Sequence, residues 1–159
     1  MRDSLAPKEV VTQSANSYFN KANCRNLAIG KYLAKISTLD GRFVYRLMVT
    51  LAQDGNVFVA DSNQRTVPSI FKGFANARGA WKCVGNSELI AIALNFSHPP
   101  AQGTVNIGRT DYRVTLNPQT KTVQGSVQLR FFDLSANPFE ENGLDGGMFS
   151  FTGQRVIAK

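Results

Sequence analysis

Residues 79–96 read GAWKCVGNSELIAIALNF, and this stretch has the pattern of a β-hairpin. Gly85 and Asn86 stand at its centre, and both residue types accept the positive φ that a tight two-residue turn requires. Before the turn, residues 79–84 alternate in polarity, as a strand with one buried side does. After the turn, residues 87–97 are nearly all apolar. We therefore expect both sides of the second strand to be covered.

Turn signals divide the rest of the chain into short stretches that alternate as β-strands do. Asp40-Gly41, QDGN at 53–56 and NPQTK at 117–121 separate neighbouring strands. His98-Pro99-Pro100 ends the opening hairpin, because proline cannot donate to a strand ladder. With that hairpin, the pattern predicts eight strands, at residues 30–37, 43–52, 57–62, 79–84, 87–97, 104–116, 122–133 and 147–157.

No helical stretch lies between consecutive strands, so we expect the strands to pair as antiparallel neighbours. Eight such strands in simple order predict an all-β, eight-stranded antiparallel up-and-down barrel, which leaves no exposed sheet edge. A sandwich of two sheets is the alternative. Residues 30–159 are expected to form the barrel domain, and residues 1–29 an N-terminal extension that is helical or disordered.

The chain of 159 residues is expected to be a single domain that needs no disulfide or metal for stability. No apolar run approaches 18 residues, so no membrane span is predicted. The N-terminus lacks the apolar core of a secretory signal, which indicates a cytoplasmic protein, with export after signal removal as the alternative. Cys24 and Cys83 match no zinc or redox spacing. We expect both thiols to be reduced, and one disulfide if the protein is exported.

The net charge is +7, from 18 basic and 11 acidic residues, which favours an anionic partner. The basic residues are scattered, however, whereas nucleic-acid-binding proteins cluster charge on one face and interleave aromatic residues. A solvated basic surface without a nucleic-acid partner is therefore expected. The single histidine, His98, cannot build an imidazole metal site. No nucleophile elbow and no phosphate-binding loop are present, so neither a hydrolase nor a cofactor is predicted.

Four local patterns resemble the calycin-like β-barrel proteins, the broad lipocalin and allene-oxide-cyclase-like group, and most of all its small bacterial members. These patterns are Gly79-Ala80-Trp81, VGNSELIAIALNF at 84–96, YRVTLNPQTKTVQGSVQLRFFD at 112–133 and FTGQRV at 151–156. In lipocalins a Gly-x-Trp opens the first strand and a C-terminal arginine covers the tryptophan. Here Gly30-Lys31-Tyr32 takes the opening position, which argues against a true lipocalin. Arg155 is expected over Tyr32 or over Trp81.

This resemblance implies a cup-shaped cavity that takes an apolar small molecule. Its members range from passive carriers to enzymes that isomerise or cyclise a substrate without a cofactor, and fold alone does not choose between them. We therefore expect binding of a small apolar molecule in the barrel cavity. The first alternative is a cofactor-independent isomerase or cyclase of the natural-product or oxylipin type. The second is a filled barrel that serves as a structural or interaction module.

Strand alternation predicts which side chains line the lumen. The expected ligand-binding residues are Phe43, Leu47, Trp81, Leu129, Phe131 and Phe149, with Met148 as the alternative to Phe149. If the protein is an enzyme, Tyr45, Tyr112 or Glu88 could polarise a carbonyl or move a proton. The plainer interpretation makes both tyrosines packing residues and leaves Glu88 exposed beside the turn.

The outward row Ile90, Ile92 and Leu94 is a separate signal. Three large apolar side chains on the outside of a barrel lower solubility unless something covers them. We expect either a homodimer contact or coverage by residues 1–28.

Overall fold

The computed structural model describes residues 20–62, 73–74, 76–98, 106–140 and 142–159. One helix, α1, spans Lys21–Ala28. The strands are β1 (Gly30–Ser37), β2 (Phe43–Leu51), β3 (Asn56–Asp61), β4 (Gly73–Phe74), β5 (Ala77–Cys83), β6 (Glu88–His98), β7 (Asn106–Asn117), β8 (Thr122–Asp133) and β9 (Leu144–Arg155). The helical signals predicted within residues 1–19 lie outside the described residues.

Eight of these strands close into a barrel. The hydrogen-bonded order is β1-β2-β3-β5-β6-β7-β8-β9, and β9 pairs back to β1. Every pair is antiparallel, so the prediction of an up-and-down barrel is confirmed and the sandwich alternative is wrong. The two-residue strand β4 stands outside the ring and pairs with Ser97 and His98 at the end of β6. Within the described ranges, no helix is long and apolar enough to cross a membrane.

The hairpin of β5 and β6 forms as predicted, with a wider turn. The last pair in the ladder is Cys83 with Leu89, and the Val84 and Gly85 amides both donate to Glu88 O, at 2.9 and 3.2 Å. Since β5 ends at Cys83 and β6 begins at Glu88, four residues rather than two separate the strands. Asn86 in this turn accepts a hydrogen bond from the Asn20 amide at 3.1 Å. The turn thus also fixes the start of α1.

A glycine inside β8 allows the barrel to curl. A Cβ at Gly125 would lie 1.7 Å from the carbonyl oxygen of Arg113 on β7. Only glycine permits an approach this close between β7 and β8.

Helix α1 closes one end of the barrel, which we call the closed end. Asn20 caps the helix by accepting a hydrogen bond from the Asn23 amide at 3.1 Å. Cys24 and Ala28 face the core with no exposed surface. Cys24 is bonded to Cys83 of β5, with a Cα–Cα distance of 6.2 Å. The expectation of two reduced thiols is therefore wrong, because the fold brings residues distant in sequence into contact.

Arg155 of β9 connects the last strand to the closed end of the barrel. Its guanidinium lies 5.6 Å from the centre of the Tyr32 ring and donates to Leu27 O at 2.9 Å and to Ile29 O. A Cβ at Gly30 would lie 3.0 Å from Arg155 Nε, so glycine leaves room for this side chain. Of the two aromatic partners expected for Arg155, Tyr32 is the one observed.

Candidate functional site

The barrel lumen is largely filled by side chains. Two cavities remain among the described residues, of about 40 and about 20 Å³. Ligand pockets for small organic molecules usually measure roughly 300–1,000 Å³, whereas cavities of this size hold a few water molecules at most. The residues around the larger cavity are apolar apart from tyrosine hydroxyls, and include Tyr32, Leu47, Leu89, Tyr112 and Phe151.

The smaller cavity lies near the opposite end of the barrel, and its lining is partly polar. Residues of β2, β3, β6 and β7 meet there. They bring together Tyr45, Asp61, Asn95, Thr110 and Tyr112. Tyr45 and Tyr112 are both predicted catalytic residues, and the fold places them on one cavity. Sequence reasoning missed the other three, since a single polar residue at a strand end carries no pattern.

Burial keeps both tyrosines protonated. Desolvation raises the pKa of Tyr112 well above the ordinary value of 10, and the neighbouring Tyr45 and Asp61 raise it further. Desolvation also raises the pKa of Tyr45, again with a contribution from the Asp61 charge. Neutral phenols of this kind donate hydrogen bonds or act as weak acids, but they do not serve as bases near neutral pH.

Glu88 does not join the two tyrosines. It is the first residue of β6, where the chain leaves the turn at the closed end. Its side chain is exposed and points to the same side as Ile90, outside the barrel. The plainer interpretation of Glu88 agrees with this position.

Three of the predicted ligand-binding residues face the lumen. Leu47 borders both cavities and Leu129 borders the smaller one. Phe149 pairs with Val127 and packs against the buried core. Its neighbour Met148 is 49% exposed. Of these two alternatives, Phe149 is therefore the lumen residue.

Trp81 is buried at the closed end, where it acts as a packing residue. Its exposed fraction is 4%, and its Nε1 donates to Ala52 O at 2.9 Å. The Arg25 guanidinium of α1 lies 5.0 Å from the ring centre. Trp81 thus helps to hold the helix against the barrel.

Phe43 points away from the lumen, against the prediction. An irregularity in the pairing of β1 and β2 sets Phe43 opposite Ser37, although Tyr45 is opposite Ile36. The extra residue in β2 reverses the side that Phe43 faces. Its ring is 56% exposed and lies 5.9 Å from Lys35 Nζ.

Strand alternation predicts that Phe131 is buried and Phe132 exposed, but Phe132 is the more buried of the two. Phe131 is only half-buried, whereas Phe132 is 4% exposed. Gly143, in the segment between β8 and β9, packs on the Phe132 ring so closely that a Cβ would lie 2.7 Å from its carbons. This segment therefore covers the outward side of β8.

A wider cavity lies on the outside of the β5–β6 hairpin, and we call it the outer groove. Its volume is about 330 Å³. Ile90, Ile92 and Leu94 form the floor together with Ala80, which pairs with Ile92 across the hairpin. Phe139, from the segment between β8 and β9, lines the groove as well. The predicted apolar row is thus one side of a concave site.

Arg109 holds in place the segment that carries Phe139, which lines one side of the groove. Its guanidinium lies 5.5 Å from the Phe139 ring centre and donates to Pro138 O at 2.8 Å. Two further hydrogen bonds, of 3.0 and 2.8 Å, join it to both carboxylate oxygens of Asp111. Phe139 remains 60% exposed, so most of its ring is accessible to a ligand. Sequence reasoning missed it because it lies in an irregular Asn- and Gly-rich stretch.

Two basic residues of β5 also line the groove. Arg78 pairs with Leu94, and Lys82 pairs with Ile90, so each stands beside one end of the apolar floor. Both are exposed, and neither forms an ion pair with any residue that the structure describes. Two larger surface hollows, of about 380 and 480 Å³, have mixed linings in which polar and charged residues alternate with apolar ones. The outer groove is the described hollow that combines a ligand-sized volume with an apolar floor.

Comparisons of the chain with protein-family models, with curated proteins and with solved structures find no match.

Proposed function

We propose that the protein binds a small apolar molecule, and that the outer groove is the binding site. The observation that carries this proposal is the difference in volume between the two candidate sites. The outer groove measures about 330 Å³, whereas the lumen cavities measure about 40 and 20 Å³. Of these two sites, only the groove reaches the volume that pockets for small organic molecules usually have.

The groove has the surface chemistry that such binding needs. Its floor exposes part of three large aliphatic side chains, and a bound apolar molecule would remove them from water. Phe139 lines one side of the groove, and Arg109 holds its backbone in place. Little conformational entropy of this segment is therefore lost on binding. The filled lumen then serves as a rigid scaffold for the groove.

The calycin-like relationship is part of this proposal. Arg155 over Tyr32 supports it, because lipocalins place a C-terminal arginine over the aromatic residue that opens their first strand. In that relationship, the binding site of this chain lies on the outside of the barrel rather than in the lumen. The disulfide Cys24–Cys83 supports an oxidising compartment, and hence the export alternative.

One observation favours the isomerase or cyclase as a second candidate. Tyr45 and Tyr112 converge on one cavity with Asp61, and protonated phenols can polarise a carbonyl. Such an enzyme requires the lumen to widen around its substrate. Native mass spectrometry of protein purified gently from its own host tests this. A bound product that is present in the wild-type protein but absent from Tyr112→Phe supports the enzymatic function. The same bound molecules in both proteins contradict it.

A neutral fluorescent probe tests the proposed site. We expect N-phenyl-1-naphthylamine to bind the wild-type protein with enhanced emission. Ile92→Asp should weaken this binding at least tenfold, because the new carboxylate lies in the middle of the apolar floor. Met48→Asp is the matched control, since Met48 is an outward residue of β2 that is 45% exposed.

Tyr112→Phe separates the groove from the lumen. It changes a lumen residue that both cavities share and leaves the groove intact. Unchanged probe binding is expected. Probe binding that survives Ile92→Asp and is lost in Tyr112→Phe would place the ligand in the lumen and contradict the proposal.

A further inference from the structure

We infer that the ligand of the outer groove is an anionic amphiphile, an aliphatic chain that ends in a carboxylate or a similar acidic group. This inference rests on the proposed function, because it names the ligand class of the same groove. It follows from the charges around the apolar floor.

Basic side chains stand at both ends of the floor. Arg78 and Lys82 are four residues apart on β5, which corresponds to about 13 Å along a strand. Arg78 lies beside Leu94 and Lys82 beside Ile90, so a chain lying along the floor ends next to one of them. On the opposite edge, Arg113 of β7 pairs with Ile90.

The acidic residues of this face do not balance these charges. Asp111 accepts hydrogen bonds from Nε and Nη2 of Arg109, whose guanidinium also lies beside the Phe139 ring. Glu88 is exposed at the start of β6 and has no basic partner within ion-pair distance among the described residues. Among the residues that the structure describes, the groove itself is lined by two basic residues, Arg78 and Lys82, and by no acidic one, in a chain of net charge +7.

An anionic amphiphile satisfies both parts of this surface. Its chain covers the aliphatic floor, and its head group accepts hydrogen bonds from Arg78 or Lys82, which are stronger when both partners are charged. A second copy of the chain fits less well, because face-to-face contact sets the same positive charges against each other. The concave shape closed by Phe139 also suits a slender molecule better than a flat protein surface.

Displacement of the neutral probe by two molecules with the same chain tests the head group. At low ionic strength, decanoate should displace N-phenyl-1-naphthylamine at a concentration roughly five- to tenfold lower than decanol does. High salt should shrink this difference, because the basic groups are exposed. Arg78→Gln/Lys82→Gln should abolish the preference for decanoate and leave decanol binding nearly unchanged.

The matched control is Lys31→Gln/Lys35→Gln, which removes the same charge from two exposed residues four apart on β1. It should keep the preference. Equal binding of decanoate and decanol by the wild-type protein would overturn the inference and leave the apolar groove standing. Failure of both molecules and of the probe would instead overturn the proposed function. Sedimentation with phosphatidylglycerol vesicles without any binding of free decanoate would assign the charge to a membrane surface, and would also overturn the inference.

Discussion

The two sides of strand β6 differ in a way that separates folding from function. The inward side is packed to near completion, and two of its three residues are alanines: Leu89, Ala91 and Ala93 are 1%, 4% and 1% exposed. The outward side carries larger aliphatic residues that are only half-buried: Ile90, Ile92 and Leu94. A strand that served only the barrel would carry polar residues on its outward side.

The inward side needs small residues because its neighbours are large. Tyr112 pairs with Ala91, and the Phe151 ring lies 6.4 Å from the Tyr112 ring. Together they fill the lumen and leave little volume. The outward row faces no comparable packing among the described residues, so its apolar surface is available for a ligand.

The largest expected effect concerns the disulfide that joins Cys24 of α1 to Cys83 of β5. Replacing both cysteines, as Cys24→Ser/Cys83→Ser, should lower the free energy of unfolding by about 4 kcal/mol, since the disulfide bridges a separation of 59 residues. Urea denaturation measures this. Probe binding by the folded fraction should survive, because the groove lies outside the barrel.

Neighbouring residues of β6 give the sharpest matched pair. Leu89→Ala should cost about 3 kcal/mol, because it leaves a void in the packed lumen. Ile90→Ala should cost about 1 kcal/mol, because that side chain is half-buried. Equal losses in urea denaturation would mean that the two sides of the strand contribute alike to folding, and would remove the distinction between them.

Alkaline pH should destabilise the lumen specifically. The folded-state pKa of Tyr112, Tyr45 and Tyr32 lies above 10, mainly because burial disfavours the charged phenolate. Their contribution to the free energy of unfolding is complete below pH 10. It is lost as the pH rises above 10, because the tyrosines of the unfolded chain ionise at a lower pH than those of the folded protein. Each fully buried tyrosine then costs about 1.4 kcal/mol per pH unit. Denaturation midpoints at pH 8 and 11 measure the loss, and Tyr112→Phe should reduce it.

The smallest effect on stability should come from the groove wall. Phe139→Ala is expected to change the free energy of unfolding by less than about 0.5 kcal/mol, because Phe139 is 60% exposed. The same change should weaken binding of the neutral probe roughly fivefold, since it removes an aromatic contact. Leu134→Ala, at a 54% exposed residue of the same segment, should leave binding unchanged.

Strand periodicity and turn residues predict the barrel well, because each strand carries its own alternation. They fail where the backbone departs from regular pairing. The irregularity between Ile36 and Ser37 turns Phe43 outward, and the segment that covers Phe132 makes it more buried than Phe131. Neither event leaves a local signal in the sequence.

The candidate site was only partly predictable for a similar reason. The row Ile90, Ile92 and Leu94 is visible as apolar residues on the wrong side of a strand. The volume left inside the barrel depends on how side chains from opposite strands fit together, and alternation says nothing about it. Phe139 joins the groove through the Arg109 contacts, which connect residues far apart in the chain.

Nuclear magnetic resonance of the ¹⁵N-labelled protein, titrated with decanoate, locates the ligand directly. If the outer groove binds it, the largest shifts should appear at the amides of Ala80, Ile92 and Phe139, while those of Leu47 and Tyr112 move little. The largest shifts at Leu47 and Tyr112 would place the ligand in the lumen and contradict the outer groove as the binding site.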